Sequence, residues 1–269
     1  MLFYRVGAKN TFNSISGLCI LFVESLEWLV KYCCAEYTLM SRILALDTST
    51  DACSVALLNG DELTQEFRIE PRRHTHLLLP MVQSILASSS LRLEDLDAIA
   101  FGRGPGSFAG IRIATGVAQG LGLAADLPLI PVSTLAAMAI TAQSAAQGLP
   151  ILTALDARMD EVYWALIRFD EGKIVYEVEE RVSAPSDVYV PDSFSQVMGV
   201  GSGWVYAQAM ESLSNVKLVL NQPESIYPTA AAMLTLAKAL FLEGQVSLAD
   251  EVRPVYLRDD VAWKKKDQQ

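Results

Sequence analysis

Apolar and polar positions divide the chain after residue 40 into short strands and longer helical stretches. The run ending at Asp47, the run around Cys53–Leu57 and a third run after Asn59-Gly60-Asp61 read as three strands joined by tight turns. The pattern then changes period: 74–88 and 107–125 read as helices, 97–101 and 129–132 as strands, and 133–147 as another helix. Further along, 173–181 reads as a strand, 183–195 as an irregular stretch rich in Pro and Ser, and 196–200 as a short strand. The turn Gly201-Ser202-Gly203 precedes a predicted helix over 204–213. A long apolar helix over 229–243 comes before the closing residues 252–258.

Part of this order occurs twice. Ala45-Leu46-Asp47 matches Ala154-Leu155-Asp156, Asp51 matches Asp160, and Ala56-Leu57 matches Ala165-Leu166, all at an offset of 109 residues. Each copy runs strand, Asp, turn, strand, hairpin and strand. One repetition of a unit this long predicts two similar lobes instead of a solenoid. Three hairpin strands followed by alternating helices and strands, twice over, is the duplicated actin-like, ribonuclease-H-like α/β arrangement. The expected division is an N-terminal lobe over 40–148 and a C-terminal lobe over 149–269, with residues 1–39 outside the fold.

Two helices carry more apolar surface than one lobe should absorb. In 74–88, Leu78, Val82, Ile85 and Leu86 can face a sheet, which leaves Leu77, Met81 and part of Leu79 without a home. Pro80 removes one helical hydrogen bond, kinking this helix or marking its first turn. In 107–125, Gly116, Gly120 and Ala124 recur every four residues, with Gly110 and Ala114 upstream. A helical glycine costs about 1 kcal/mol relative to alanine, so the stripe implies close approach of another helix. The two helices either pack on each other or form half of a bundle that a partner completes.

Composition narrows the function classes. With 269 residues, 51% hydrophobic and 19% charged, the chain is a packed globular protein. Its formal charge of −10 argues against broad electrostatic capture of nucleic acid, and Lys264, Lys265 and Lys266 form its tight basic run. The four cysteines, Cys19, Cys33, Cys34 and Cys53, have neither zinc-ligand nor redox-motif spacing, which suits a reducing cytoplasm. The charge-free stretch over 10–23 is short for a membrane span, and Glu24 and Glu27 stand where a signal cleavage site belongs. Met40 is the expected working start.

The candidate chemistry centres on Phe101-Gly-Arg-Gly-Pro-Gly-Ser-Phe-Ala-Gly-Ile-Arg112. A glycine-rich turn feeding a helix start presents backbone N–H groups to an anion. Gly104, Gly106 and Ser107 are therefore candidates for an anion or nucleotide contact. The competing reading is a tight turn with Ser107 as helix cap, since the spacing matches neither the P-loop nor the dinucleotide fingerprint. Asp47 and Asp156 end equivalent strands but lack following glycines, which favours hydrogen-bonded turn carboxylates over metal ligands. His74 and His76 do not share a helical face, and no nearby carboxylate completes a metal set.

Several motifs together resemble the TsaB (YeaZ) family of bacterial actin-like proteins. They are Ile43-Leu-Ala-Leu-Asp-Thr-Ser-Thr50, Arg73-His74 with Leu79-Pro80-Met81, the glycine loop through Ile113, Pro131-Val-Ser-Thr-Leu135 and Pro254-Val-Tyr-Leu-Arg258. Residues 183–243 match more loosely. The resemblance implies a cytoplasmic, non-catalytic subunit in the making of tRNA N6-threonylcarbamoyladenosine, a paralogue of the catalytic subunit TsaD. TsaD carries a His-x-x-x-His metal pair where this chain has Thr134 and Met138, so the resemblance implies loss of that metal site.

The same resemblance implies docking of TsaD on the two over-apolar helices, through Leu77, Met81, Ser84, Ile85, Arg112, Gly116, Gly120 and Leu123. It also implies the ATPase TsaE as a further partner, a homodimer when TsaD is absent and indirect contact with tRNA. No cofactor is expected to bind tightly, with ATP or ADP near the subunit junction, and no membrane is involved. The alternative is an ATP-dependent small-molecule kinase using Asp47 and the glycine loop. A metallopeptidase reading lacks ligands.

Overall fold

The computed structural model describes residues 41–210, 213, 215–220 and 227–258; the expected extension over 1–39, Cys19, Cys33, Cys34 and Lys264–Lys266 lie outside them. Strands β1 (Arg42–Asp47), β2 (Ala52–Asn59), β3 (Glu62–Ile69), β4 (Ala98–Gly104) and β5 (Leu129–Ser133) form one sheet in the order β3-β2-β1-β4-β5. Strands β6 (Ile151–Arg158), β7 (Glu161–Asp170), β8 (Lys173–Ser183), β9 (Gln196–Val200) and β10 (Lys217–Leu220) form a second sheet. Its order, read from the other edge, is β8-β7-β6-β9-β10. In each, the first three strands are antiparallel neighbours and the fourth pairs parallel with the first. The two sheets thus realise the duplicated actin-like α/β arrangement.

The helices explain why the central strands are apolar on both faces. Helices α1 (His74–Ser88) and α2 (Phe108–Ala125) cover the outer face of the first sheet, over Leu44, Leu46, Val55 and Ile99. Helices α3 (Thr134–Ala146) and α4 (Ala230–Leu242) lie between the sheets. A strand covered on both sides reads as a continuous hydrophobic run. Ile43, Leu44, Ala45 and Leu46 are accordingly all fully buried.

Chain order and packing do not coincide in the middle of the molecule. Helix α3 follows the first sheet yet packs mainly on Ile151, Leu155, Ala165 and Ile167 of the second. Helix α4 follows the second sheet and returns to Ile43, Ala45, Ala56 and Ile130 of the first. Its first turn is fixed there: the Ala230 N–H donates to Ser54 Oγ at 2.9 Å and the Ala231 N–H to Gln65 Oε1 at 3.0 Å. Thr229 Oγ1 accepts from the Ala232 N–H at 3.2 Å, a cap worth about 1 kcal/mol. These three bonds satisfy amides that a helix start leaves without intrahelical partners.

Two expectations need correction. The ungapped 109-residue offset does not hold through the first strand of the repeat. Ala45 faces the inner helices, whereas Ala154 faces the outer layer of the second sheet with Trp164. A shift by one residue reverses every side chain, so the strands correspond but the paired residues 45 and 154 do not. The offset does keep Ala56 and Ala165 on equivalent inner faces. The slip arises at the turns: four residues join β1 to β2, whereas Met159 and Asp160 alone join β6 to β7, beside an irregularity at Asp156/Arg158.

The helix expected over 204–213 is instead a 3-10 stretch, Ser202–Ala209. Trp204, Val205 and Tyr206 are weak helix formers, and Gly203 is pressed against the Ala154 backbone, 2.8 Å from where a β-carbon would stand. Strand β10 is an addition to the elements expected from the sequence. Among the described residues, α2 has the length and apolar composition to cross a membrane. Here its Ile111, Ala114, Thr115 and Ala118 face is buried on the first sheet.

Candidate interaction face and interlobe cleft

Helix α1 turns a broad apolar side inward. His74, Leu78, Met81, Val82, Ile85 and Leu86 are buried, with Met81 2% and Ile85 1% exposed. Met81 and Ile85 are therefore core residues, which removes them from the expected docking set. All six buried positions are linked by i+3 and i+4 steps, a stripe wide enough to take in Met81 beside Leu78 and Val82. Leu77 is half-buried against the same core. The outward side holds His76, Leu79, Pro80, Gln83 and Ser84, and Leu79 is 44% exposed. Pro80 stands inside the helix, so the His76 carbonyl loses its helical donor.

Helix α2 presents the expected stripe. Arg112, Gly116, Gly120 and Leu123 are all exposed, Leu123 by 68%. Apart from the chain neighbours and the helix's own backbone, no atom lies within 4 Å of where a β-carbon would stand at Gly116 or Gly120. Nothing within the described residues therefore requires glycine at either position. Because α1 and α2 cover the same sheet face, Leu79, Pro80, Gly116, Gly120 and Leu123 look outward on the same side.

The glycine loop packs inward. A β-carbon at Gly102 would overlap Asp47 Oδ2, one at Gly106 the Ser49 carbonyl, and one at Gly110 the Thr48 carbonyl. Each glycine admits one residue of the turn that follows β1. The Ser107 N–H donates to the Ser49 carbonyl at 2.7 Å, and Thr48 Oγ1 to the Gly110 carbonyl at 2.7 Å. Gly104, at φ +102, faces Ile111 and the Val255 carbonyl. Of the two glycines expected to meet an anion, Gly104 is turned into the chain, whereas Gly106, tight against Ser49 on one side, lines the cleft beside the loop. Ser107 caps α2, its Oγ accepting from the Gly110 N–H at 3.4 Å.

A cleft of about 1090 Å³ opens beside this loop, between Ser49, Ser107 and Arg112 on one side and Asp156, Tyr163 and Ser202 on the other. Arg112, Arg158 and Arg258 line it together with Asp51 and Asp156. Asp156 lies in this wall, its Oδ1 accepting from the Arg158 N–H at 2.8 Å and its Oδ2 from Arg158 Nη1 at 3.2 Å. Asp47 is sealed away. Its Oδ1 accepts from the Ser49 N–H at 3.0 Å and Oγ at 2.9 Å, and its Oδ2 has no partner. Burial outweighs those two bonds and pushes its carboxyl up to about 6. An actin-like fold implies ATP and a metal ion held by such carboxylates. A buried Asp47 and an Asp156 paired with Arg158 do not fit a metal ion held in that way.

A half-buried polar link joins the sheets near the loop. Arg103 Nη2 lies 2.8 Å from Glu180 Oε2, and Ser133 Oγ donates to Glu180 Oε1. Sequence reasoning missed this link, because a glutamate on β8 carries no local sign of a partner 77 residues away.

The chain matches the family model TsaD, tRNA N6-adenosine threonylcarbamoyltransferase, over residues 68–266. It is also similar to the tRNA threonylcarbamoyladenosine biosynthesis protein TsaB of Escherichia coli (strain K12). Identity is 47% over 230 residues, 83% of this chain and 97% of that protein. The chain belongs to the TsaB family. The TsaB protein of Haemophilus influenzae is 42% identical, over 83% of this chain and 96% of its own length. Among solved structures, YeaZ from Pseudomonas aeruginosa is 42% identical with a TM-score of 0.75, covering 81% of this chain and all of that one. Another Pseudomonas aeruginosa structure, of an uncharacterized protein with similarity to peptidase YEAZ, is 41% identical with a TM-score of 0.76.

At the two positions that the resemblance assigns to metal-binding histidines, this TsaB-family chain holds Thr134 and Met138, both fully buried at the start of α3. Among the described residues, no three His, Cys, Asp or Glu side chains converge as a metal site would require.

Proposed function

We propose that this chain is a non-catalytic subunit of the apparatus that makes N6-threonylcarbamoyladenosine in tRNA, and that it acts by holding TsaD. Membership of a family whose relatives are named for that biosynthesis supports the reading. The observation that carries it is the open glycine stripe of α2. Two helical glycines that nothing within the described residues requires cost about 1 kcal/mol each relative to alanine, and a closely packed helix from a partner accounts for them. The docking face consists of Leu79, Pro80 and Ser84 on α1 with Arg112, Gly116, Gly120 and Leu123 on α2, Leu77 contributing at its edge. A second copy of the chain covers the same face when TsaD is absent.

TsaE joins the pair, tRNA contact is indirect, and the assembly works in the cytoplasm. ATP or ADP at the subunit junction meets this chain at Gly106, Ser107 and the first turn of α2, which line the cleft, and not at Gly104. The kinase alternative asks Asp47 to serve a phosphate-bound metal, and its burial argues against that. Reconstitution tests the reading: TsaD, TsaE, threonylcarbamoyl-adenylate and unmodified tRNA are combined with and without this chain. Modification that depends on the chain, with no ATP turnover by the chain alone, is expected. Equal modification in its absence, or steady ATP turnover by the chain that Asp47→Ala abolishes, refutes it.

A further inference from the structure

We propose that residues 252–258 form a clasp that holds the cleft at its observed opening and links its far wall to the exposed start of α2. The segment has no regular secondary structure, yet it is tied along its whole length. On the side of the first sheet, Gln119 Nε2 donates to the Val252 carbonyl at 3.2 Å and the Val255 N–H to the Arg103 carbonyl at 2.8 Å. Arg112 Nε donates to Tyr256 Oη at 2.7 Å, and the Tyr256 and Phe108 rings meet at 5.7 Å. The Arg112 guanidinium lies 3.8 Å from the centre of the Phe108 ring.

On the side of the second sheet, one residue makes the connection. Arg258 pairs with Glu161 and donates to the Ala157 and Arg158 carbonyls at 3.3 Å each, while its Nη1 reaches Met159 Sδ at 3.5 Å. These contacts hold the turn between β6 and β7. That turn is strained: Arg158, Met159 and Asp160 have φ of 63°, 58° and 58°, three successive non-glycine residues in the left-handed region. Such conformations persist where surrounding contacts impose them. Arg258 supplies those contacts, so its release lets the turn relax and the Asp156–Arg158 wall of the cleft move. The same release slackens the strap and frees Tyr256 from Arg112. A ligand or partner that engages Arg112 in place of Tyr256 drives the sequence from the other end. The two ends are coupled in both directions, as linkage requires.

The coupling is read on the full chain, without any partner, so it stands or falls apart from the docking role. Glu161→Gln and Arg112→Ala each loosen one end, and hydrogen exchange with peptide resolution reads the other. Glu161→Gln is expected to speed exchange at the Val255 N–H and in the first turn of α2 by at least about tenfold. Chymotryptic cleavage after Tyr256 should rise with it. Arg112→Ala is expected to speed exchange across 156–161 in return, while β2 and β3 keep their wild-type rates. Effects confined to the mutated end in either variant overturn the clasp. So does acceleration shared equally by β2 and β3, because general destabilisation then explains the change.

Discussion

Replacing Asp47 by asparagine isolates the cost of burying a carboxylate whose Oδ2 has no partner. The native group titrates near 6 against 3.8 when unperturbed. That difference corresponds to about 3 kcal/mol, since one pKa unit is about 1.4 kcal/mol. The native carboxyl is the more basic, so the folded state binds the extra proton. The stabilising contribution is complete below about pH 3.8 and is lost as pH rises through about 6. Between about pH 4.5 and about pH 7.5, wild type should lose about 2 kcal/mol from this group alone. The side-chain amide of the Asp47→Asn variant keeps an acceptor for Ser49 and does not titrate. Urea unfolding of both proteins at a series of pH values, taken as a difference, cancels the other titrating groups. The wild-type-minus-variant stability should fall by about 2 kcal/mol over that interval. Parallel curves, or a difference that rises with pH, refute the burial argument and return Asp47 to the candidates for chemistry.

Other consequences follow from packing. Met81→Ala should cost about 2–5 kcal/mol in urea unfolding, whereas Leu79→Ala should stay within about 0.5 kcal/mol; equal losses would contradict the assigned phase of α1. Gly116→Ala should stabilise the isolated chain by about 0.5–1 kcal/mol, while Gly110→Ala, aimed at the Thr48 carbonyl, should destabilise it severely. Thermal unfolding of the two side by side checks both signs. Glu180→Gln leaves the Arg103 guanidinium, 24% exposed, without its charge partner and should cost about 1–2 kcal/mol, between a surface pair and a fully buried one. A loss below about 0.5 kcal/mol, as for a surface pair, would show that the link between the sheets bears no weight.

Legibility in the sequence followed the range of the interaction. The hairpin β2–β3 could be read because Asn59-Gly60-Asp61 separates two runs of suitable length, and the cap of α2 because Ser107 stands at its start. The phase of α1 could not, since apolar residues surround most of the helix and only its packing into the core over the first sheet decides that Met81 turns inward. Gly102, Gly106 and Gly110 recur every four residues and were visible, but their reason was not. It lies in the Asp47–Ser49 turn, more than 50 residues earlier, which they approach too closely for any β-carbon. The Pro254-Val-Tyr-Leu-Arg258 motif was conspicuous, yet its role depends on Arg103, Arg112 and Glu161, which only the fold assembles beside it.

The central claim is that the outward side of α1 and α2 is the surface that holds TsaD. Titration calorimetry of TsaD against Gly116→Glu and Leu79→Asp, with Thr235→Glu on the exposed side of α4 as control, tests it most directly. Both the α1 and the α2 variant are expected to lose at least about a hundredfold in affinity, roughly 2.7 kcal/mol, while melting like wild type, and the control is expected to bind with wild-type affinity. Undiminished binding by Gly116→Glu, or an equal loss in Thr235→Glu, would contradict it.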